Sequence, residues 1–244
     1  MGDADRAGVA VILLSYNRPT MLEMAWESIR ATSGRVEVIL VDDGSTAFDV
    51  VDWADRHAIR TRVFAPPRSI DRRMTQASLG RLINGALFHA HHGLGMAAVT
   101  YLCDDDLFAP GWLDAVRATL ADPAGPHVMR GRWRAFDDPL IDGPLTKPRK
   151  SRPAALDVRK MTTGNFAHRA ECYGEGFRWS ETTVAVHDDT ALWNLNALHP
   201  LKDAVDANVL AGYRREHRFN AANVTSRTEY AVGAYEMLSR STLE

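Results

Sequence analysis

The chain has 244 residues and a formal net charge of -2, with 45% apolar and 25% charged residues, the composition of an ordinary globular protein. This balance argues against a chain that binds polyanions through its overall charge, and no apolar run approaches the ~20 residues of a membrane span. Its two cysteines, Cys103 and Cys172, are too few for a disulfide framework. We therefore expect a soluble protein of the reducing cytoplasm.

The first half of the chain alternates short apolar runs with helical patterns. The runs predict four strands, at residues 9–14, 36–41, 61–64 and 97–102, and the continuous apolar run of the first is typical of a buried parallel strand. Helices are predicted between them: one that opens with a capping box of Thr20 and Glu23, one at about 48–57, and a long one that ends near Gly93. Four strands with intervening helices predict an α/β fold with a doubly wound, mostly parallel sheet.

The second half of the chain is less regular. Prolines and cationic residues punctuate residues 137–155, which we expect to form an exposed, mobile loop. Beyond it the pattern predicts a strand end at 184–187, a helix at 188–198, a strand at 209–213 and a closing helix at 229–238.

Acidic clusters directly follow two of the predicted strands. Asp42 and Asp43 come after the second strand, and Asp104 to Asp106 come after the fourth. Ligands of parallel sheets bind at the carboxyl ends of the strands. Carboxylates brought together there repel unless a cation relieves them, and Mg²⁺ or Mn²⁺ binds carboxylate and diphosphate oxygens together. The alternative is that these residues form solvated turns that cap the following helices.

Four segments resemble glycosyltransferase family 2 of the GT-A fold, in content, order and spacing. They are Val11–Arg18, Val38–Thr46, Arg81–Gly85, and Tyr101–Asp106 with Pro110. The resemblance implies a GT-A-type α/β domain over residues 1–244. Residues 9–113 would form its nucleotide-sugar-binding half and residues 114–244 an irregular acceptor-binding half.

The resemblance also implies a donor site. The nucleotide sugar is expected to contact Ser15, Tyr16, Asn17, Arg18, Asp42 or Asp43, Arg73, Asn84, and Asp104 or Asp105. Asp106 is expected to hold Mn²⁺ or Mg²⁺. The family usually has Asp where Cys103 stands, which leaves open which aspartate meets the ribose and which the metal.

Later residues resemble the rest of the family's active site. Asp188, or Asp189 as a second choice, is expected to be the general base, although both could merely cap a helix. His217 is a second candidate metal ligand, and Arg214 and Arg218 are candidate phosphate contacts. An exposed basic strand edge is the alternative for this segment.

The activity implied by the resemblance is an inverting, metal-dependent transfer of a sugar from a nucleoside diphosphate. UDP-sugars are the favoured donors, and saccharides or lipid-linked saccharides the favoured acceptors. A polyanionic acceptor such as hydroxylated bases in DNA is an alternative, because cationic residues recur beside aromatic ones, as at Arg130, Arg132, Trp133, Arg178 and Trp179. A non-catalytic nucleotide-sugar-binding relic is the second alternative.

Overall fold

The computed structural model describes residues 8–32, 34–64, 75–136, 164–179 and 204–215. Its strands are β1 (Val9–Ser15), β2 (Val36–Asp42), β3 (Thr61–Phe64), β4 (Ala98–Cys103), β5 (Asp106–Phe108), β6 (Val128–Phe136), β7 (Phe166–Arg169) and β8 (Ala204–Arg215). Its α-helices are α1 (Pro19–Arg30), α2 (Val50–Arg56), α3 (Thr75–Phe88) and α4 (Trp112–Leu120). A π-helical turn, His89–Gly93, extends α3, and a 3-10 turn, Ala170–Tyr173, follows β7.

The eight described strands form one sheet in the order β3-β2-β1-β4-β7-β6-β8-β5. The first four are parallel, as the sequence predicts, and their bounds agree with the predicted runs to within one residue at each end. β7 then pairs antiparallel with both β4 and β6, β6 pairs parallel with β8, and β5 pairs antiparallel with β8. The doubly wound, mostly parallel α/β fold is therefore confirmed.

Helices cover both faces of the sheet. α3 packs Ile83, Ala86 and Leu87 into one core with β1, β2 and β4, while α1, α2 and α4 contribute to a second core on the opposite face. All seven residues of β1 are buried because the strand is covered on both sides. This burial explains why its sequence is a continuous apolar run rather than an alternating one.

The start of α1 differs from the prediction. The helix begins at Pro19, and Arg18 occupies the N-cap position without a side-chain cap. Proline suits the first helical turn, where its missing N–H needs no partner. Because the N-cap is Arg18 and not Thr20, Glu23 lies too far along the helix to complete a capping box. Glu23 instead accepts a hydrogen bond from Trp53 Nε1 and lies 2.9 Å from His57 Nε2. The capping-box prediction is wrong.

Other predictions fall outside the described residues, namely the loop at 137–155, the strand end at 184–187 and the helices at 188–198 and 229–238. The predicted strand at 209–213 is part of the longer β8. The described helices are all shorter or more polar than a bilayer span requires.

Candidate functional site

Three loops meet at the carboxyl edge of the parallel strands. In the strand register Ser15 lies opposite Asp42, and Leu14 lies opposite Cys103. Residues 15–18 after β1, 42–46 after β2 and 103–106 after β4 are thereby brought side by side. The predicted convergence of the acidic clusters at this edge is present in the structure.

Asn17 joins the first loop to the second. Its backbone N–H donates to Ser45 Oγ at 2.9 Å, and its side-chain oxygen accepts from the N–H groups of Thr46 and Ala47 at 2.6 and 2.9 Å. Asn17 has φ +56°, a left-handed conformation that asparagine adopts more readily than most residues. The asparagine is therefore needed to hold the loops together, and its carbonyl oxygen is already occupied by protein.

The side chain of Asp42 turns into its own loop. It is 1% exposed, and its oxygens accept from the N–H groups of Gly44 and Ser45 and from Ser45 Oγ, at 3.1, 2.7 and 2.5 Å. These bonds shape the loop and leave the carboxylate little access to a ligand. Of the predicted pair, the half-buried Asp43 is therefore the better candidate for a nucleotide contact.

Asp104 joins the loop after β4 to the loop after β1. Its Oδ2 accepts from the backbone N–H of Tyr16 at 2.9 Å, and its Oδ1 accepts from Arg18 Nη1 at 3.1 Å. Burial and the neighbouring charge of Asp105 raise the pKa of Asp104 to about 7, although Arg18 and the Tyr16 N–H favour the ionised form. Asp104 thus positions the loop that carries Tyr16, and Tyr16 itself is 41% exposed.

A candidate metal centre lies beside this contact. Ligand atoms of Cys103, Asp105 and Asp106 all lie within 4.8 Å of one another. Arg18 Nη1 donates to Asp105 at 2.7 Å. From the sequence, Asp106 is the expected metal ligand and Asp104 or Asp105 the expected ribose contact. The geometry groups Asp105 with Asp106, turns Asp104 toward Arg18, and adds the thiol of Cys103, which was not among the ligands predicted from the sequence.

The residues around this cluster fit a divalent cation. Two carboxylates supply the hard oxygen ligands that Mg²⁺ and Mn²⁺ prefer. Gly164, at φ +92°, lies beside Asp106, and a Cβ built on it would stand 3.6 Å from Asp106 Oδ2. The absence of a side chain at this glycine keeps the space beside the carboxylate open.

Ser15 carries a polar atom for which the described residues provide no partner. The residue is 3% exposed, and its Oγ makes no hydrogen bond within the part of the chain that the structure describes. An orphaned buried hydroxyl is rare in folded proteins and marks a place where a ligand or water completes the bonding. Ser15 lies at the end of β1, and its role beside the nucleotide stays a prediction.

Asn84 has a different environment from the one predicted. Its amide donates to the carbonyl of Trp179 at 3.0 Å and accepts from the Trp179 N–H at 2.8 Å, and the residue is 7% exposed. The side chain fastens α3 to the segment 164–179, so the geometry gives no support to a nucleotide contact. Among the other predicted residues, the backbone of Arg214 lies opposite Asp106 in the β5–β8 register. Its side chain and all of Arg73, Asp188, Asp189, His217 and Arg218 lie outside the described residues.

Several solved structures share this fold. TarS from S. aureus aligns with a TM-score of 0.62 and 14% identity, over 86% of this chain but only 37% of TarS. Its fragment 1-349 in complex with UDP-GlcNAc aligns at 0.56 and 12%, over 97% and 67% of the two chains. Glucosyl-3-phosphoglycerate synthase from Mycobacterium tuberculosis, in complex with Mn²⁺ and UDP-glucose, aligns at 0.54 and 14%, over 98% and 80%. At these identities the likeness shows the GT-A fold.

The sequence comparison adds the family. No curated protein matches the chain significantly. The family model described as Glycosyl transferase family 2 matches residues 10–174, which is more than half of the chain and includes all three loops of the candidate site. The chain therefore belongs to glycosyl transferase family 2.

Proposed function

We propose that this glycosyltransferase uses a divalent metal to transfer a sugar, with inversion, from a UDP-sugar to a hydroxyl group of a saccharide or lipid-linked saccharide. The observation that carries the proposal is the convergence of three loops at the carboxyl edge of the sheet, with Asp105 and Asp106 side by side. Solved structures of similar fold with UDP-GlcNAc, or with UDP-glucose and Mn²⁺, support a UDP-sugar and a metal.

The described residues divide the work of donor binding. Tyr16 offers an accessible aromatic ring and Asp43 a carboxylate, which suit the nucleoside. Asp105 and Asp106 would hold Mn²⁺ or Mg²⁺, which supplies positive charge beside the diphosphate as it leaves. Arg18 donates to Asp105 through Nη1 and so holds that carboxylate in a fixed direction.

The transfer step needs one base. The acceptor oxygen forms a bond to the anomeric carbon on the face opposite the diphosphate, and the bond from that carbon to the diphosphate oxygen breaks with its electron pair. Asp188, or else Asp189, takes the proton from the acceptor hydroxyl. A single displacement of this kind inverts the anomeric configuration.

Two of the arginines on which the DNA alternative rests, Arg130 and Arg178, are buried or make contacts within the protein. Arg130 is 3% exposed. Arg178 stacks on the ring of Tyr173, 3.3 Å from its centroid, and donates to the carbonyls of Tyr173 and Phe177. Neither side chain presents an open cation to a phosphate backbone. These two side chains therefore lend no support to hydroxylated DNA bases as acceptors; Arg132, by contrast, is exposed.

The donor half of the proposal is tested by thermal unfolding with UDP, GDP, CDP and dTDP, each with Mn²⁺ or with EDTA. A ligand that binds only the native state adds about 2.7 kcal/mol at a hundredfold excess over its Kd. We expect UDP with Mn²⁺ to raise Tm, EDTA to abolish the rise, and Asp105→Asn to reduce it. A rise that survives EDTA contradicts metal dependence.

Turnover distinguishes the enzyme from the relic. We expect release of UDP from a UDP-sugar to accelerate when a saccharide acceptor is added, and Asp188→Asn to suppress that acceleration while leaving the UDP-induced rise in Tm intact. Metal-dependent UDP binding with no UDP release for any UDP-sugar would instead favour the non-catalytic nucleotide-sugar-binding alternative.

A further inference from the structure

The thiol of Cys103 occupies an unusual place for a cysteine. It ends β4, where the family usually has an aspartate, and its Sγ lies within 4.8 Å of the nearest carboxylate oxygens of both Asp105 and Asp106. The same loop is bound by the guanidinium of Arg18 through Asp104 and Asp105. The thiol therefore lies near two potential metal ligands and has a cation close by.

Cys172 shows what a packing cysteine looks like in this protein. It is fully buried among apolar residues, its Sγ lies 3.9 Å from the His127 carbonyl, and burial raises the pKa of its thiol to about 12. Cys103 also touches the core at the end of its strand, but it is only partly buried. Packing alone does not explain why its sulfur is grouped with two carboxylates.

The space around the cluster is also suited to an ion. Gly164 lies beside Asp106 without a side chain, and Asp105 and Asp106 come from a tight turn that directs both carboxylates to the same place as the thiol. Three ligand atoms within 4.8 Å of one another are close enough for small side-chain movements to bring them around one ion, whose metal–ligand distances would be about 2.0–2.3 Å. Nucleotide phosphates and water would supply the remaining ligands.

We propose that Cys103 is a metal ligand that gives this site a mixed thiolate–carboxylate character and shifts its preference from Mg²⁺ toward Co²⁺ and Zn²⁺. The inference rests on the proposed function, since it concerns the same donor site. Binding displaces the thiol proton to solvent as the sulfur–metal bond forms. Thiolate is a softer ligand than carboxylate, so replacing one carboxylate by sulfur weakens the hold on Mg²⁺ and strengthens it on later first-row ions.

The test is spectroscopic and does not depend on turnover. The metal-free protein is titrated with Co²⁺, with and without UDP, while bound cobalt is measured by equilibrium dialysis. We expect a near-ultraviolet thiolate-to-cobalt charge-transfer band in the unsubstituted protein and in Cys172→Ser. Cys103→Ser should bind cobalt about tenfold more weakly and lack the band. Cys103→Asp should bind cobalt without the band and show a Co²⁺-to-Mg²⁺ affinity ratio about tenfold lower.

Alkylation supplies an independent readout. Iodoacetamide should modify Cys103 and spare the buried Cys172, and Co²⁺ should protect Cys103, as measured by peptide mass spectrometry. Bound cobalt without a charge-transfer band, a band that survives Cys103→Ser, failure of cobalt to bind, or alkylation of Cys103 unaffected by saturating cobalt would each overturn the inference. If UDP binding still requires Mn²⁺ in any of these cases, the proposed function stands and only the role of sulfur is lost.

Discussion

The buried histidine of β7 provides a quantitative test of the fold around the site. His168 is 0% exposed. Its Nδ1 lies 2.7 Å from the carbonyl of Arg169, which can only accept, so Nδ1 carries the proton and Nε2 accepts from the Tyr101 hydroxyl at 2.6 Å. Both ring nitrogens are satisfied in the neutral form. Burial lowers the pKa of His168 from 6.5 to about 4.

This shift makes stability depend on pH in a defined window. Because the native pKa lies below the unfolded value, the unfolded chain takes up the proton first as the pH falls from 6.5 toward 4. Above this window the group has no effect on the pH dependence. At ~1.36 kcal/mol per pKa unit, this residue lowers the unfolding free energy by about 2–3 kcal/mol between pH 7.5 and pH 4.5.

The substitution His168→Gln isolates this contribution, because glutamine keeps a donor and an acceptor but does not titrate. Urea unfolding of both proteins at pH 7.5, 6.5, 5.5 and 4.5 gives the free energy of unfolding at each pH. The variant is less stable at pH 7.5 because it packs imperfectly, but the difference in unfolding free energy between the two proteins should shrink by about 2–3 kcal/mol at pH 4.5. Stability curves that stay parallel over the whole range would refute the neutral, buried histidine.

Three further substitutions test the loops and the metal centre. Gly164→Ala should strain the backbone and place a methyl group in van der Waals contact with Asp106 Oδ2, weakening Mn²⁺-dependent UDP binding in calorimetry, whereas Gly176→Ala, at φ +96° with no atom within 4 Å, should strain the backbone without that effect. Equal UDP affinity in the two variants would show that the space beside Asp106 does not matter. Asp42→Asn should lower the unfolding free energy by about 1–3 kcal/mol, because asparagine replaces one of the two acceptor oxygens with an NH₂ group, which cannot accept a hydrogen bond. An unchanged urea midpoint would contradict the role of Asp42 in shaping the loop. Asn84→Ala should cost a similar ~1–3 kcal/mol while the Kd for UDP changes little, and a large loss of UDP affinity at unchanged stability would restore the nucleotide role predicted from sequence.

The parallel half of the fold was predictable chiefly because β1 and β4, at its centre, are buried along nearly their whole length. Continuous apolar runs such as Val9 to Leu14 have few other interpretations when turns and helical patterns separate them. β5 could not be predicted because it is only three residues long and begins within the acidic cluster. β6 was missed because arginines interrupt its apolar pattern, and one of them, Arg130, is buried nonetheless.

The location of the site could be predicted from the sequence, but the direction in which each side chain points could not. Sequence position puts Asp42, Asp43 and Asp104 to Asp106 at one edge, since that follows from strand order alone. Whether a carboxylate meets a ligand or bonds the protein depends on which N–H groups the turn presents to it. Asp42 meets two backbone N–H groups of its own loop, and Asp104 meets that of Tyr16. The sequence shows the acidic residues but not these donors.

The hydrogen bonds by which Asn17 joins the first two loops would affect which nucleotide sugar the proposed donor site selects. Loops fixed before the ligand arrives lose little conformational entropy when it binds, so more of the interaction energy appears as affinity. Fixed loops are also poor at adjusting to a base of another shape, so rigidity sharpens discrimination among nucleotides. A chain whose residue at position 17 could not make these hydrogen bonds would have more mobile loops. We expect it to accept a wider range of donors and to bind each of them less tightly.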